Sequence, residues 1–150
     1  MSTQRVVLVT GGNKGIGKAI STAFAANGDA VIINFNKSRD IAKTVREELL
    51  PGNTTISLEQ ADISDYRQVK QMINNIMEKY GKIDIVVNNA GIVRDGFLML
   101  MSEKDWNDVI SINLNGVFNC SKAVSEPMIS QRSGVIINIA SLSGITGLPG

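Results

Sequence analysis

The amino-acid sequence predicts an α/β protein built around a parallel β-sheet, and three observations carry that expectation. Short continuous apolar runs, Val6-Val7-Leu8-Val9, Val31-Ile32-Ile33, Ile85-Val86-Val87 and Val135-Ile136-Ile137, lack the polar alternation of a sheet with one wet face. Amphipathic helical patterns separate these runs, so strand and helix alternate along the chain. The first run also empties into a glycine-rich turn, Thr10-Gly11-Gly12-Asn13-Lys14-Gly15-Ile16-Gly17, that opens directly into a helix.

Taken in order, the first strand covers residues 5–10 and the first helix residues 15–27. Ile16, Ile20 and Phe24, at steps of four, are expected to pack on the sheet, and Gly28 ends the helix. The second strand covers residues 31–33. Ser38 is placed to cap a second helix with Ile41, Val45 and Leu49 on one face, and Pro51-Gly52 stops it. A weaker third strand spans residues 55–60 and closes at Asp62-Ile63. Ser64 then opens a third helix, in which Val69, Met72, Ile73, Ile76, Met77 and Tyr80 recur at steps of three and four. The fourth strand, residues 85–87, runs into Asn88-Asn89-Ala90-Gly91 and a looser segment over residues 92–101. A long helix is expected from Ser102, its N-cap, to about residue 132, with Trp106, Ile110, Asn113, Val117, Val124 and Met128 as its buried stripe. An asparagine on that stripe needs hydrogen-bond partners or costs roughly 1–3 kcal/mol, so Asn113 is expected to hold a structural bond, a water or a substrate. Pro127 lacks an N–H and is expected to bend the last turns. The fifth strand, residues 135–140, empties into Ser141-Leu142-Ser143-Gly144, and the chain reaches Pro149-Gly150 in a loop.

Composition narrows the chemistry. At 150 residues and 43% hydrophobic the chain can bury one real core, so a single domain over residues 1–150 is the default. Fifteen basic residues against fourteen acidic ones, with few aromatics and no like-charge block, point away from nucleic acid and anionic membranes and toward a small molecule or a protein partner. No apolar signal region and no run near the ~20 residues of a membrane span precede the first strand, which predicts a cytoplasmic protein. Cys120 stands alone and can close no internal disulfide, and Asn53-Thr54-Thr55 matches a glycosylation acceptor only formally in that compartment. There is no histidine, which removes histidine bases, serine–histidine triads and histidine metal sites. One cysteine removes a thiolate zinc site as well, so no metal site is expected.

The glycine turn reads as a phosphate site, because glycines let the backbone approach an anion and the first helical N–H groups then point at the charge. Two spacings compete. Gly12 to Lys18 fits G-x-x-x-x-G-K of a nucleoside-triphosphate loop, but that loop needs a hydroxyl next, to hold Mg²⁺, and the chain has Ala19. The spacing T-G-x-x-x-G-x-G across Thr10 to Gly17 is complete.

Thr10 to Gly17, Asp62-Ile63, Asn88-Asn89-Ala90-Gly91, Asn113 and Ser141, in this order and each at a strand end or on the long helix, resemble the short-chain dehydrogenase/reductase family over the whole chain. Within it, residues 91–99 and Trp106-Asn107-Asp108-Val109-Ile110 are similar to bacterial 3-oxoacyl-[acyl-carrier-protein] reductases. The resemblance implies a doubly wound parallel sheet (Rossmann fold) in three α/β/α layers, with strand order 3-2-1-4-5-6-7, of which this chain reaches strand five. It implies a dinucleotide across the carboxyl ends of the strands. Gly11, Gly12, Asn13, Lys14, Gly15, Ile16 and Gly17 would hold the pyrophosphate, Asp62 and Ile63 the adenine, and Asn89, Ala90 and Gly91 the path from ribose to nicotinamide. Relatives that prefer NAD place an acidic residue at the end of strand two; this chain has Asn36 and Lys37 there and Lys14 in the turn, which implies NADP(H). Ser141 would orient a substrate carbonyl, with Ser143 as a neighbouring decoy, and Asn113 would hold a water in a proton relay. One of Asn88 and Asn89 is expected to fasten neighbouring loops. Arg132 would contribute to a basic patch that meets acyl carrier protein, unless it is merely a solvated helix end. A homotetramer built on the long helix is implied.

One departure from the family pattern matters. Its acid is the tyrosine of a Tyr-x-x-x-Lys pair on the helix after strand five, beyond the last residue here, and Tyr66 and Tyr80 lie on the wrong helix to replace it. These residues are therefore expected to belong to a longer product, to be inactive alone, and to associate through the bare edge of strand five and the apolar side of the long helix. The alternatives are a reductase of acyl-CoA, sugar or steroid carbonyls on the same scaffold, or a non-catalytic NADP-binding module. With Ala19 at the metal position, Mg²⁺–ATP should bind no better than adenosine. A calorimetric titration with Mg²⁺-dependent micromolar ATP affinity would contradict that.

Overall fold

The computed structural model describes residues 4–50 and 55–147. Pro51-Gly52, the Asn53-Thr54 part of the glycosylation acceptor and Pro149-Gly150 lie outside the described residues. Five parallel strands form one sheet: β1 (Val6–Val9), β2 (Ala30–Phe35), β3 (Ile56–Gln60), β4 (Ile85–Asn88) and β5 (Val135–Asn138), in the order β3-β2-β1-β4-β5. Between them run α1 (Gly15–Ala26), α2 (Arg39–Leu49), α3 (Tyr66–Tyr80), α4 (Glu103–Val109) and α5 (Gly116–Gln131), and α6 (Ser143–Thr146) follows β5. The fold is the three-layer α/β/α arrangement that the alternation of elements implies.

Strand geometry explains the layering. Successive side chains point to opposite faces, so Val7, Val9, Val31, Ile33 and Val87 form one core with Ala25 and Val45, beneath α1 and α2. Val6, Leu8, Ile32 and Val86 form the other core with Val69, Met72, Ile73, Ile76, Cys120 and Val124, beneath α3 and α5. A parallel sheet covered in this way has no wet face, which is why β1, β2 and β4 read as unbroken apolar runs. β5 differs. It is the edge of the described sheet and its residues are exposed, as its position with one strand neighbour dictates.

Several local expectations shift. In α1 the buried line is Gly17, Ser21 and Ala25; Ile20 and Phe24 pack beside it, but Ile16 is 66% exposed because the first turn of the helix overhangs the sheet end. Ser38 sits at the start of α2 without a side-chain cap bond, and the buried face of α2 is Ala42 and Val45, with Ile41 turned outward. Asp65, not Ser64, caps α3 by accepting the N–H of Arg67 at 2.9 Å, because the Ser64 hydroxyl is already committed to Asp62. Ser102 does cap α4, accepting from the N–H of Asp105 at 3.0 Å.

The largest shift lies in the long helix. It runs through to Gln131, past Pro127, but a π-helical segment, Ile110–Asn115, separates α4 from α5. A π turn holds more residues than an α turn, so every position beyond it is rotated relative to a continuous helix. The buried line of α5 is Gly116, Asn119, Cys120, Val124 and Met128, while Asn113 and Trp106 are exposed instead of lying on the core stripe.

Electrostatics ties the N-terminal segment down. Arg5 reaches Asp29 with two hydrogen bonds, Nε to Oδ1 at 2.8 Å and Nη2 to Oδ2 at 2.7 Å, across the foot of β1 and β2. The hydrogen bond from Arg5, aided by Asn27, holds the buried Asp29 carboxyl below the usual carboxylate range despite the opposing effect of burial. A carboxyl with a depressed folded-state pKa stabilises the fold above its unfolded pKa, and that contribution is lost as pH falls through the folded value. Asp29→Asn should therefore melt at a lower temperature than the parent at pH 7, with the gap closing as pH drops below the ordinary carboxylate range. Parallel thermal melts across that range check this.

Candidate functional site

The turn after β1 is where the sheet changes direction, since β2 and β3 lie to one side of β1 and β4 and β5 to the other. Parting chains leave a crevice at the carboxyl ends of the strands. Here it is a cavity of about 840 Å³, within the ordinary range for cofactor sites. It is lined by the loops that follow β1, β2, β3 and β4, together with residues of α4 and the π segment.

Thr10, fully buried, builds the floor. Its hydroxyl accepts the N–H groups of Asn89 and Ala90, both at 3.0 Å, and donates to the carbonyl of Val87 at 3.3 Å. Asn89 answers by donating its side-chain amide to the carbonyl of Thr10 at 2.9 Å. Asn34 closes the other side: its backbone carbonyl accepts from Gly12 at 3.1 Å, and its amide donates to the carbonyl of Ala61 at 3.1 Å. Asn13, buried, donates to the carbonyl of Ser38 at 3.3 Å. The turn is thereby fastened to every neighbouring strand end.

Glycine is required where the turn meets α1. A Cβ on Gly17 would lie 2.3 Å from the carbonyl oxygen of Gly11 and 2.4 Å from the amide of Asn89. Gly11 itself adopts φ +60 with Ala90 pressed against it. Because α1 can approach so closely, its first N–H groups, those of Gly15, Ile16 and Gly17, sit at the crevice, and no described group accepts from them. Free amides at a helix N-terminus, with the positive end of the helix dipole, are suited to an anion.

Of the residues the sequence singles out, Gly11, Asn13, Lys14, Ile16, Gly17, Asn36, Lys37, Asp62, Ile63, Asn89, Ala90 and Gly91 all line the cavity, whereas Gly12 and Gly15 shape the turn from behind. Asp62 accepts from the amide and the hydroxyl of Ser64 at 2.9 and 2.6 Å and from Asn36 at 2.9 Å. Burial acts to raise its pKa, but these bonds outweigh it and hold the carboxyl below the usual range. Lys14 and Lys37 make no ion pair among the described residues. Lys18, the lysine of the rejected triphosphate spacing, points elsewhere and pairs with Glu48 at 2.6 Å.

Asn113 and Ser141 do not line this cavity. The Asn113 amide clips the loop after β4, accepting the N–H of Ile92 and donating to its carbonyl, each at 2.9 Å. Ser141 is exposed in the loop after β5, its hydroxyl accepting from the N–H of Ser143 at 3.2 Å. Arg132 ends α5 with a left-handed φ of 52 and precedes the amino end of β5, so it stands at the opposite end of the sheet from the cavity. Asn88 and Asn89 both fasten: Asn88 donates to Asn138 at 2.8 Å and to Ser121 at 3.3 Å, tying β4 to β5 and α5.

Three groups escape the sequence reading. Asn119, buried on α5, donates to the carbonyls of Ile63 and Ser64 and so anchors the loop after β3; its place on the core stripe becomes visible only once the π segment has shifted the register. Arg94 and Lys104 form part of the cavity wall, paired with Asp105 and Asp108. The spacing Tyr66-x-x-x-Lys70 also occurs, but Tyr66 opens α3 away from the cavity, with the Lys122 ammonium 5.1 Å from its ring centre. Burial pushes the Cys120 thiol up to about 12, so it is no nucleophile.

Residues 5–150 match the family model described as short chain dehydrogenase. The chain belongs to the short-chain dehydrogenase family. Among relatives in the family, a 3-oxoacyl-[acyl-carrier-protein] reductase of Synechocystis sp. is 45% identical over 148 residues, covering 99% of this chain and 60% of its own. The reductases FabG of Staphylococcus aureus and Thermotoga maritima are 42% and 43% identical over 150 and 147 residues, covering 100% and 97% of this chain and 61% and 59% of theirs. The chain thus spans about 60% of the length of the curated relatives it matches.

The clasp at Thr10 has a direct test. Thr10→Val keeps the shape of the side chain but leaves the amides of Asn89 and Ala90 without an acceptor, at roughly 1–3 kcal/mol for each buried group. Denaturant unfolding should show a loss of about 2 kcal/mol or more. A loss under about 0.5 kcal/mol would mean that water replaces the hydroxyl.

Proposed function

We propose that this chain is the dinucleotide-binding domain, over residues 1–150, of an NADPH-dependent reductase that converts a 3-oxoacyl thioester on acyl carrier protein to the 3-hydroxyacyl form in fatty acid biosynthesis. The observation that carries the reading is the row of free amides on Gly15, Ile16 and Gly17, set at the crevice of a sheet whose relatives bear the name of that reductase. These amides suit a pyrophosphate. The backbone around Asp62 and Ile63, fastened by Asn36, Ser64 and Asn119, suits a purine, and Ala90 and Gly91 leave an open path along β4.

When bound, the nicotinamide would supply a hydride to the carbonyl carbon. The protein's part is position and polarisation. Ser141 follows β5, the strand next to β4, and its hydroxyl can donate to a carbonyl oxygen while its own oxygen accepts from Ser143. Asn113 sits in the π segment with both ends of its amide engaged by Ile92, so its place in a proton relay would rest on the main-chain groups of that widened turn. The Arg132 position argues against a carrier contact near this cavity within one copy of the chain, and contact with a carrier docked on a neighbouring copy is the arrangement consistent with a homotetramer.

The cofactor preference follows from charge. The loop after β2 offers Asn36 and Lys37 where a carboxylate would bind a ribose hydroxyl, and Lys14 stands across the cavity without an ion pair. Charge-assisted contacts of roughly 1.5–3 kcal/mol favour a 2′-phosphate by about tenfold or more for each lysine engaged. Fluorescence titration of the chain with NADPH and NADH tests this, and Lys37→Ala should narrow the gap about tenfold. Equal affinities for the two nucleotides would overturn the assignment.

A further inference from the structure

A second groove, of about 350 Å³, lies at the other end of the strand order, outside the cofactor cavity. Every residue of β3, Ile56 to Gln60, lines it. One wall is a stripe on α2, where Arg39, Lys43 and Arg46, at steps of four and three, face the same way. Lys79 on α3 forms the opposite wall, its ammonium donating to the hydroxyl of Ser57 at 2.6 Å.

Charge here is unbalanced. Arg39, Lys43 and Arg46 make no ion pair with any described residue. Glu59 is the one carboxylate lining the groove among the described residues, and it is drawn toward α3, where it accepts from Asn75 at 3.2 Å.

The groove also has an unsatisfied backbone. β3 pairs with β2 alone. Thr55 and Ala61 bond toward β2, through the Thr55 carbonyl and the Ala61 N–H, so in the alternating parallel ladder the N–H and C=O groups of Leu58 and Gln60 face the open edge. An open edge templates another strand unless charges guard it. Lysines and arginines of one sign guard it selectively. A second copy of this chain, edge to edge, would bring the basic stripe against itself, whereas an extended segment carrying carboxylates meets opposite charge on both walls. Nucleic acid is a poor occupant of a single-strand-wide slot that offers no exposed aromatic platform.

We propose that the β3 edge is a docking site for an extended acidic segment of a partner protein, added as a further strand beside β3 with its carboxylates against Arg39, Lys43, Arg46 and Lys79. Such strand addition takes affinity from the main chain and selectivity from the flanking side chains.

The test uses a fluorescein-labelled peptide of alternating glutamate and valine, followed by anisotropy at low ionic strength. It should bind, and hydrogen exchange at Leu58 and Gln60 should slow in its presence. The same peptide with its central valine replaced by proline keeps the charge but cannot complete the ladder, and should lose about tenfold or more. Lys43→Glu together with Arg46→Glu, both exposed on α2, should weaken binding by a similar factor of about ten, leaving the melting temperature and NADPH titration unchanged. Lys43→Gln serves as the milder variant should the double reversal disturb α2. Equal binding of the valine and proline peptides, displacement of both by millimolar tripolyphosphate without any slowing of exchange at Leu58, or no binding at all would each overturn the proposal.

Discussion

The hydroxyl of Thr10 is the point on which the site depends. One buried oxygen accepts two amides from the loop after β4 and donates to the last carbonyls of that strand, so the two loops that flank the change of direction in the sheet move as one body. Without that clasp the crevice would be only a gap between departing chains. With it, the turn after β1 is held so firmly that α1 can begin in contact with the carbonyl of Gly11, and its free amides acquire fixed positions. Preorganised dipoles of this kind cost little reorganisation when an anion arrives.

Cross-linking around the site is carried by uncharged amides. Asn13, Asn34, Asn36, Asn88, Asn89, Asn113 and Asn119 each bridge two elements, most of them to backbone groups that no strand or helix could satisfy. An amide offers donor and acceptor together and avoids the desolvation cost of a buried charge. Charged partners appear instead where water reaches them, as with Arg5 and Asp29 at the foot of the sheet, or Arg94 and Asp105 at the cavity rim.

The two sheet edges solve the edge problem differently. β5 presents Val135, Ile136, Ile137 and Ile139 to the surface, an apolar face of the kind that another layer of protein normally covers. β3 presents a polar channel with basic walls, which discourages self-association and admits an opposite charge. The same backbone valence thus supports two kinds of contact, chosen by the side chains alongside it.

The sequence by itself determined the class of fold, the order of elements and most of the cofactor cavity. Apolar runs with no wet face demand cover on both sides, and a glycine turn between strand and helix has few uses, so Gly11, Gly17, Asp62 and Asn89 were legible from local pattern and family resemblance alone. Only the tertiary structure decided where Asn113 points, because the π segment that turns it outward leaves no periodic trace and rotates all that follows, hiding Asn119 and misplacing Trp106. It also decided that Lys18 serves Glu48, that Arg132 stands at the far end of the sheet, and that Arg39, Lys43 and Arg46 line the same groove as Lys79. Those facts join residues far apart in the chain, and periodicity reports only on neighbours within a turn or a strand.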